Sequence, residues 1–243
     1  MEEQKFKFPT EMVDLPSKGL IYPEDSPLSK GKIEMKYMTA REEDILTNQA
    51  YIKQGVVLDK MLQSLIITKI NYEDLIVGDK NALFIAARVL GYGGNYTFEY
   101  DGESQTVDLS TLNNKEFDES LITKGVNEFH FTLPYSETKI TFKILTSADE
   151  KKIEKELTGL KKINKDNSPE LSTRLKYIIT SVGGDRDEKS IREFVDNYLL
   201  AKDSRALREY IKIIQPDVDL HCTLSSGAEV TIPISLNFFW PDA

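Results

Sequence analysis

The chain is short of the residues that usually carry catalysis or bind metal. One cysteine, Cys222, and two histidines, His130 and His221, are spread through 243 residues. A single cysteine excludes an intrachain disulfide and fits a reducing compartment, or a virus particle assembled in one. A closed zinc site takes about four N or S ligands, which one Cys and two His cannot supply alone. No C-x-x-C or H-x-x-x-H spacing occurs. His221 and Cys222 are neighbours in a strand-like stretch, so their side chains point to opposite faces. His130 alternates with Phe129 and Phe131 and reads as a solvent-facing strand residue. A Cys–His nucleophile would need Cys222 and His130 to converge from distant segments, and nothing in the pattern brings them together. There is no G-x-S-x-G and no phosphate loop. Gly91-Tyr92-Gly93-Gly94 is glycine-rich but follows a helical pattern, whereas phosphate loops precede a helix.

A basic excess is also missing. Lys and Arg number 31 against 40 Asp and Glu, a net charge of -9. That balance disfavours nucleic acid and anionic membrane surfaces as main partners. No run of residues approaches the length of a membrane span. Met1-Glu2-Glu3-Gln4 lacks the basic flank and apolar run of a secretory signal, so the expectation is synthesis and use in cytoplasm.

Both ends of the chain carry apolar side chains instead. Leu15-Pro16-Ser17-Lys18-Gly19-Leu20-Ile21-Tyr22-Pro23 is a Pro-bracketed apolar turn, and Asn237-Phe238-Phe239-Trp240-Pro241 holds the only Trp. Burying one large aromatic stabilises by about 1.5–3 kcal/mol, so such a tail belongs either in the chain's own core or against a partner. The partner-binding candidates are therefore Leu15, Pro16, Gly19, Leu20, Tyr22, Phe238, Phe239, Trp240 and Pro241. Packing on the chain's own core stands as the alternative.

Between these ends the pattern predicts an α+β chain of helices and several β-hairpins. Residues 1–30 read as an extended N-terminal arm with turns. Residues 31–145 read as a region rich in helices and hairpins. Ile33, Met35 and Tyr37 alternate with charged residues as in a half-buried strand. Thr39-Ala40-Arg41-Glu42 is a capping box opening a helix to about Gln54. Gly55 breaks it, and a second helix covers Val56 to Ile66. Asp79 is placed to cap a third over Lys80 to Leu90, ended by Gly91. Hairpins follow at Tyr96–Leu109, across Asp101-Gly102, and at Phe129–Leu145. Residues 146–243 read as mainly helical, closed by a hairpin and the aromatic tail. Ser147-Ala148-Asp149-Glu150 is a second capping box, and its helix runs to about Lys162. A polar linker spans Asn164 to Pro169. Helices are then predicted at about 170–182, 187–200 and 203–214, and a hairpin from His221 to Ile234. The two hairpins at 96–109 and 221–232 echo one another, as a repeat or as convergent hairpin grammar.

The charged residues offer no isolated carboxylate in an apolar setting. Glu42-Glu43-Asp44 and Asp185 with Asp187 fit solvated helix starts. Lys151, Lys152, Lys155, Lys161 and Lys162 are offset by Glu150, Glu154 and Glu156. Arg88, near the end of an apolar helix, reads either as a dipole partner or as a buried cation tied to a carboxylate of the next element.

In order, Leu15 to Tyr22, Met38 to Leu46, Gly78-Asp79 through Leu83, Ala87-Arg88, Gly91-Tyr92-Gly93 and Phe238 to Pro241 resemble the T-even-type bacteriophage baseplate hub assembly family. These motifs span almost the whole chain. The resemblance implies a non-enzymatic protein of contractile-tailed phages, a baseplate hub component or hub assembly factor. It would act in host cytoplasm or in the virion baseplate. The implied partners are phage tail proteins, the hub or the tape measure, with self-association left open and no cofactor. Some relatives carry cysteine pairs in a knuckle-like hairpin; the corresponding hairpins here keep only Cys222, so no structural zinc is expected. The rival readings are an assembly chaperone for the tape measure, absent from mature virions, and a hydrolase using a carboxylate pair. The hydrolase would need a concave site with strongly perturbed Asp or Glu.

Overall fold

The computed structural model describes residues 9–163, 169–224 and 227–239. It is α+β. The first strand, β1 (Thr10–Asp14), pairs antiparallel with β2 (Lys32–Lys36), Thr10 opposite Lys36 and Asp14 opposite Lys32. Ile33 and Met35 turn inward from β2 as their alternation requires. Residues expected to form an extended arm are thus partly a strand, and the turn after it is built into the core. Leu15, Ile21, Tyr22 and Leu28 are all buried.

Three short helices follow: α1 (Ala40–Leu46), α2 (Gln49–Lys53) and α3 (Val57–Leu65). The sequence had suggested one helix up to Gln54. Asn48 interrupts it, because its side chain accepts from the backbone N–H of Ala50 and Tyr51 and starts α2 afresh. The capping box at Thr39 is present: Thr39 donates through its N–H and hydroxyl to Glu42 Oε2, at 2.9 and 2.7 Å. Glu42 is not solvated, however. It is fully buried and paired with Lys36 at 2.8 Å.

Helix α4 (Val77–Tyr92) is buried along much of its length, from Gly78 to Arg88. It begins earlier than expected and continues through Gly91 to Gly93, which ends it at φ +86°. Asp79 is not its cap, because its carboxylate is engaged elsewhere. Gly91 packs inside the helix; a Cβ there would lie 2.8 Å from Met38 Sδ. Beyond α4 run the hairpin β3 (Asn95–Tyr100) and β4 (Glu103–Asp108), then β5 (Phe129–Thr132) and β6 (Lys139–Phe142).

In the second half, α5 (Ser147–Ile163) is capped one residue earlier than the pattern suggested. Thr146 donates through its N–H and hydroxyl to Asp149 Oδ2, both at 3.1 Å. The linker expected at Asn164 to Pro169 falls largely outside the described residues. Helix α6 (Glu170–Ile178) stops short of Val182 because Ile179 to Val182 is strand β7, which pairs with β6. Ile, Thr and Val suit a pleated surface better than a helix. Two helices, α7 (Glu188–Asn197) and α8 (Ala201–Ile214), and the hairpin β8 (His221–Thr223) with β9 (Glu229–Thr231) complete the order.

The halves interlock around α4. Val77 donates to the Leu145 carbonyl, Ser147 to that of Leu75, and Asn81 to the Asp217 carboxylate. A Cβ on Gly78 would sit 1.9 Å from the Pro216 carbonyl oxygen, so only glycine lets that backbone approach. One buried cluster runs continuously from Leu15 to Phe239.

Candidate functional site

The apolar N-terminal turn is shaped by the left-handed residues Lys18 and Gly19, at φ 52° and 77°. It closes on the first turn of α4. Asp79 Oδ1 accepts from the Ser17 N–H at 2.9 Å. Oδ2 accepts from the Ser17 hydroxyl and the Tyr22 hydroxyl, each at 2.6 Å. The Tyr22 oxygen in turn accepts from the Ile76 N–H at 3.1 Å. Asp79 is 0% exposed. Burial raises its pKa from 3.8 to about 6, against the opposing hydrogen bonds from Ser17 and Tyr22, with Asp217 adding repulsion. Burial likewise pushes the Tyr22 phenol well above its ordinary range. The arrangement fastens a turn to a helix: both oxygens of the carboxylate accept from internal donors.

The C-terminal aromatics meet the other end of α4. Phe238 and Phe239 are fully buried. Phe238 packs edge-on against Tyr96 at 4.9 Å, and Phe239 against Phe84 at 6.0 Å. Arg88, 2% exposed, holds them there. Its Nε donates to the Phe238 carbonyl at 3.0 Å, Nη1 to Gly93 at 3.0 Å and Nη2 to Asn95 at 3.1 Å. The guanidinium also lies over the Tyr92 ring at 5.2 Å. Arg88 is therefore a buried tie across three chain segments, rather than a surface partner of the helix dipole.

Of the nine candidate partner-binding residues, Leu15, Pro16, Gly19, Tyr22, Phe238 and Phe239 are buried and Leu20 is half-buried. Trp240 and Pro241 lie outside the described residues. For the buried six, packing on the chain's own core is what the structure contains. The motif residues thus share one element, α4, along its length: Leu15 to Tyr22 at its start, Met38 over Gly91, and the two phenylalanines beside Arg88.

Several titratable groups elsewhere are held by ion pairs. Arg192 clamps Glu156 through both oxygens at 2.9 Å, and Arg174 holds Glu150 at 2.7 and 3.1 Å. Glu128 accepts two bonds from Arg186, which hold its pKa at about 2. Asp203, fully buried at the start of α8, accepts from the N–H of Tyr135 and Ser136 and fixes that hairpin turn. Sequence reasoning missed this anchor, for which the only signal was an acidic residue in a first helical turn. His130 is exposed on β5, with Phe129 buried beside it. Exposed His221 bonds Thr231, and burial raises the thiol pKa of half-buried Cys222. Among the described residues no group of three or more His, Cys, Asp or Glu is placed to hold a metal ion.

No family model, curated protein or solved structure matches this chain.

Three hollows bear on what the surface can do. The largest, about 720 Å³, lies among α3, α4, α5 and α6 and is lined by the paired charges Asp59, Lys80, Glu150 and Arg174. A second, about 290 Å³, is an apolar groove between β1 and α4. A third, about 350 Å³, sits where α6, α7 and α8 meet, lined in part by exposed Leu171. Tyr198 and Leu200 are exposed on either side of its residue Leu199. Asp79 lines none of the three.

Proposed function

We propose that the chain is a non-enzymatic tail protein of a contractile-tailed phage. It would be a baseplate hub component or a hub assembly factor acting through protein–protein contacts. The observation that carries this reading is the ordered series of motifs from Leu15 to Phe239 that resembles the hub assembly family. Those residues belong together physically as well as in order, since they meet around α4. In this reading the motifs build the scaffold, and partner contacts fall to the apolar surface that the scaffold leaves open.

The carboxylate hydrolase has one point in its favour, the raised pKa of Asp79. Against it, both Asp79 oxygens are taken by Ser17 and Tyr22, and the group is closed off from solvent. A general acid or base must reach a substrate proton within hydrogen-bond distance.

Tagged chain would be co-expressed with the hub and tape-measure proteins of such a phage, and captured complexes identified by mass spectrometry. Co-purification of either protein is the expected result. Recovery of the chain alone from cells that contain both would overturn the proposal. Mass spectrometry of purified particles separates the two roles: a baseplate component is present and an assembly chaperone absent.

A further inference from the structure

The groove beside β1 has features that specify its occupant. In an antiparallel pair, alternate residues direct their N–H and C=O toward the partner strand and the rest direct them away. Leu15 donates to the Gly31 carbonyl, and the Pro9 carbonyl accepts from Tyr37, so odd-numbered residues of this strand face β2. Thr10, Met12 and Asp14 consequently present their backbone groups to the opposite edge. Among the described residues, no strand pairs with that edge. Such an edge is a template for another extended chain.

The edge does not open onto bulk water alone. Alongside it runs the groove of about 290 Å³, lined by Ala82, Ile85, Ala86 and Val89 of α4 and by Leu112. Met12 is 54% exposed at its rim. A strand added to β1 would set alternate side chains on this apolar lining. Charge narrows the choice further. Glu11 and Asp14 stand on β1, and Asp217 and Asp219 flank the groove residue Val218. The nearby cations Lys32 and Lys115 already pair with Asp14 and Asp217, at 3.1 and 4.0 Å. The surplus at the rim is negative, like the chain as a whole.

We infer that β1 and the α4 groove take up an extended segment of a partner protein, apolar at alternate positions and basic at its ends, as an added strand. This rests on the reading of the chain as a docking protein and names how it docks.

The test uses the full chain and a synthetic peptide of alternating valine and threonine with lysine at both ends. The control is the same peptide N-methylated at every internal residue, which leaves no internal N–H to pair from either edge. Binding is measured by calorimetry, and amide exchange is followed at Thr10, Met12 and Asp14. The peptide should bind and slow exchange at those three amides, and the methylated control should not. Met12→Pro removes only an outward N–H, as edge strands tolerate, and should weaken binding about tenfold or more. Ala86→Glu, in the half-exposed lining, should do the same and serves if the proline variant does not fold. Equal binding of both peptides, or unchanged affinity in a folded variant, overturns the inference. So does a concentration-dependent dimer of the free chain that Met12→Pro abolishes, since the edge would then belong to a second copy. In the capture experiment, a partner retained equally by Met12→Pro and Ala86→Glu refutes the strand-addition site but leaves the docking function standing. No partner for the unaltered chain refutes the function itself.

Discussion

Asp79 gives the sharpest test of how the N-terminal turn is held. Its pKa is raised from 3.8 to about 6, chiefly by burial. A carboxyl with raised proton affinity in the folded chain takes up its proton before the unfolded chain does. Stability contributed by this group therefore rises as pH falls from neutral toward about 4. The ionised form at pH 7 costs the fold about 3 kcal/mol, at about 1.36 kcal/mol for each tenfold change in proton affinity. Between pH 7 and pH 5 the fold recovers about 1 kcal/mol of that. Asp79→Asn does not titrate and keeps an oxygen for the Ser17 N–H, while its amide can donate to the Ser17 and Tyr22 hydroxyls once these rotate. Urea unfolding of both chains at pH 7 and pH 5 cancels every other titrating group. The unaltered chain should gain about 1 kcal/mol relative to the variant on going to pH 5. A difference that does not change with pH would show that Asp79 titrates in its ordinary range, and would refute its raised proton affinity. The reverse sign would mean that the hydrogen bonds outweigh burial.

Other substitutions probe the remaining contacts. Gly19→Val places a Cβ 2.4 Å from the Ser29 carbonyl oxygen at φ +77°; it should destabilise by about 3 kcal/mol or more, and an unchanged urea midpoint would contradict it. Phe238→Ala should cost about 3–5 kcal/mol and lower the melting temperature, whereas a partner-facing tail would leave melting intact. Arg88→Met deprives the carbonyls of Gly93, Asn95 and Phe238 of a donor and should cost about 3 kcal/mol. Arg88→Lys, unable to span all three, should recover only part of that, as thermal unfolding would reveal.

Local chemistry was legible in places where neighbours in sequence decide the outcome. The capping box at Thr39 and the hairpin at Asp101-Gly102 depend on residues a few positions apart, and both are present. So is the alternation of Ile33 and Met35. Several of the differences arose where a partner from elsewhere in the fold displaced the local one. Asp79 has the identity and position of a helix cap, yet its carboxylate is spent on Ser17 and Tyr22. Glu42 looked like a solvated helix-start acid until Lys36 and Thr39 enclosed it. Ile179 to Val182 continued a helical pattern but had β6 as a neighbour.

The sequence by itself determined the α+β class and the want of any familiar catalytic or metal-binding spacing. It also showed that both ends of the chain carry apolar surface to be covered. These follow from residue type and short-range period, which act within a turn or a strand. Only the tertiary structure decided what covers that surface. Burial and hydrogen-bond partners depend on which segments meet, and Asp79 with Ser17, or Arg88 with Phe238, are brought together by the whole fold. The same assembly left the outer edge of β1 and the apolar side of α4 facing one another across an open groove.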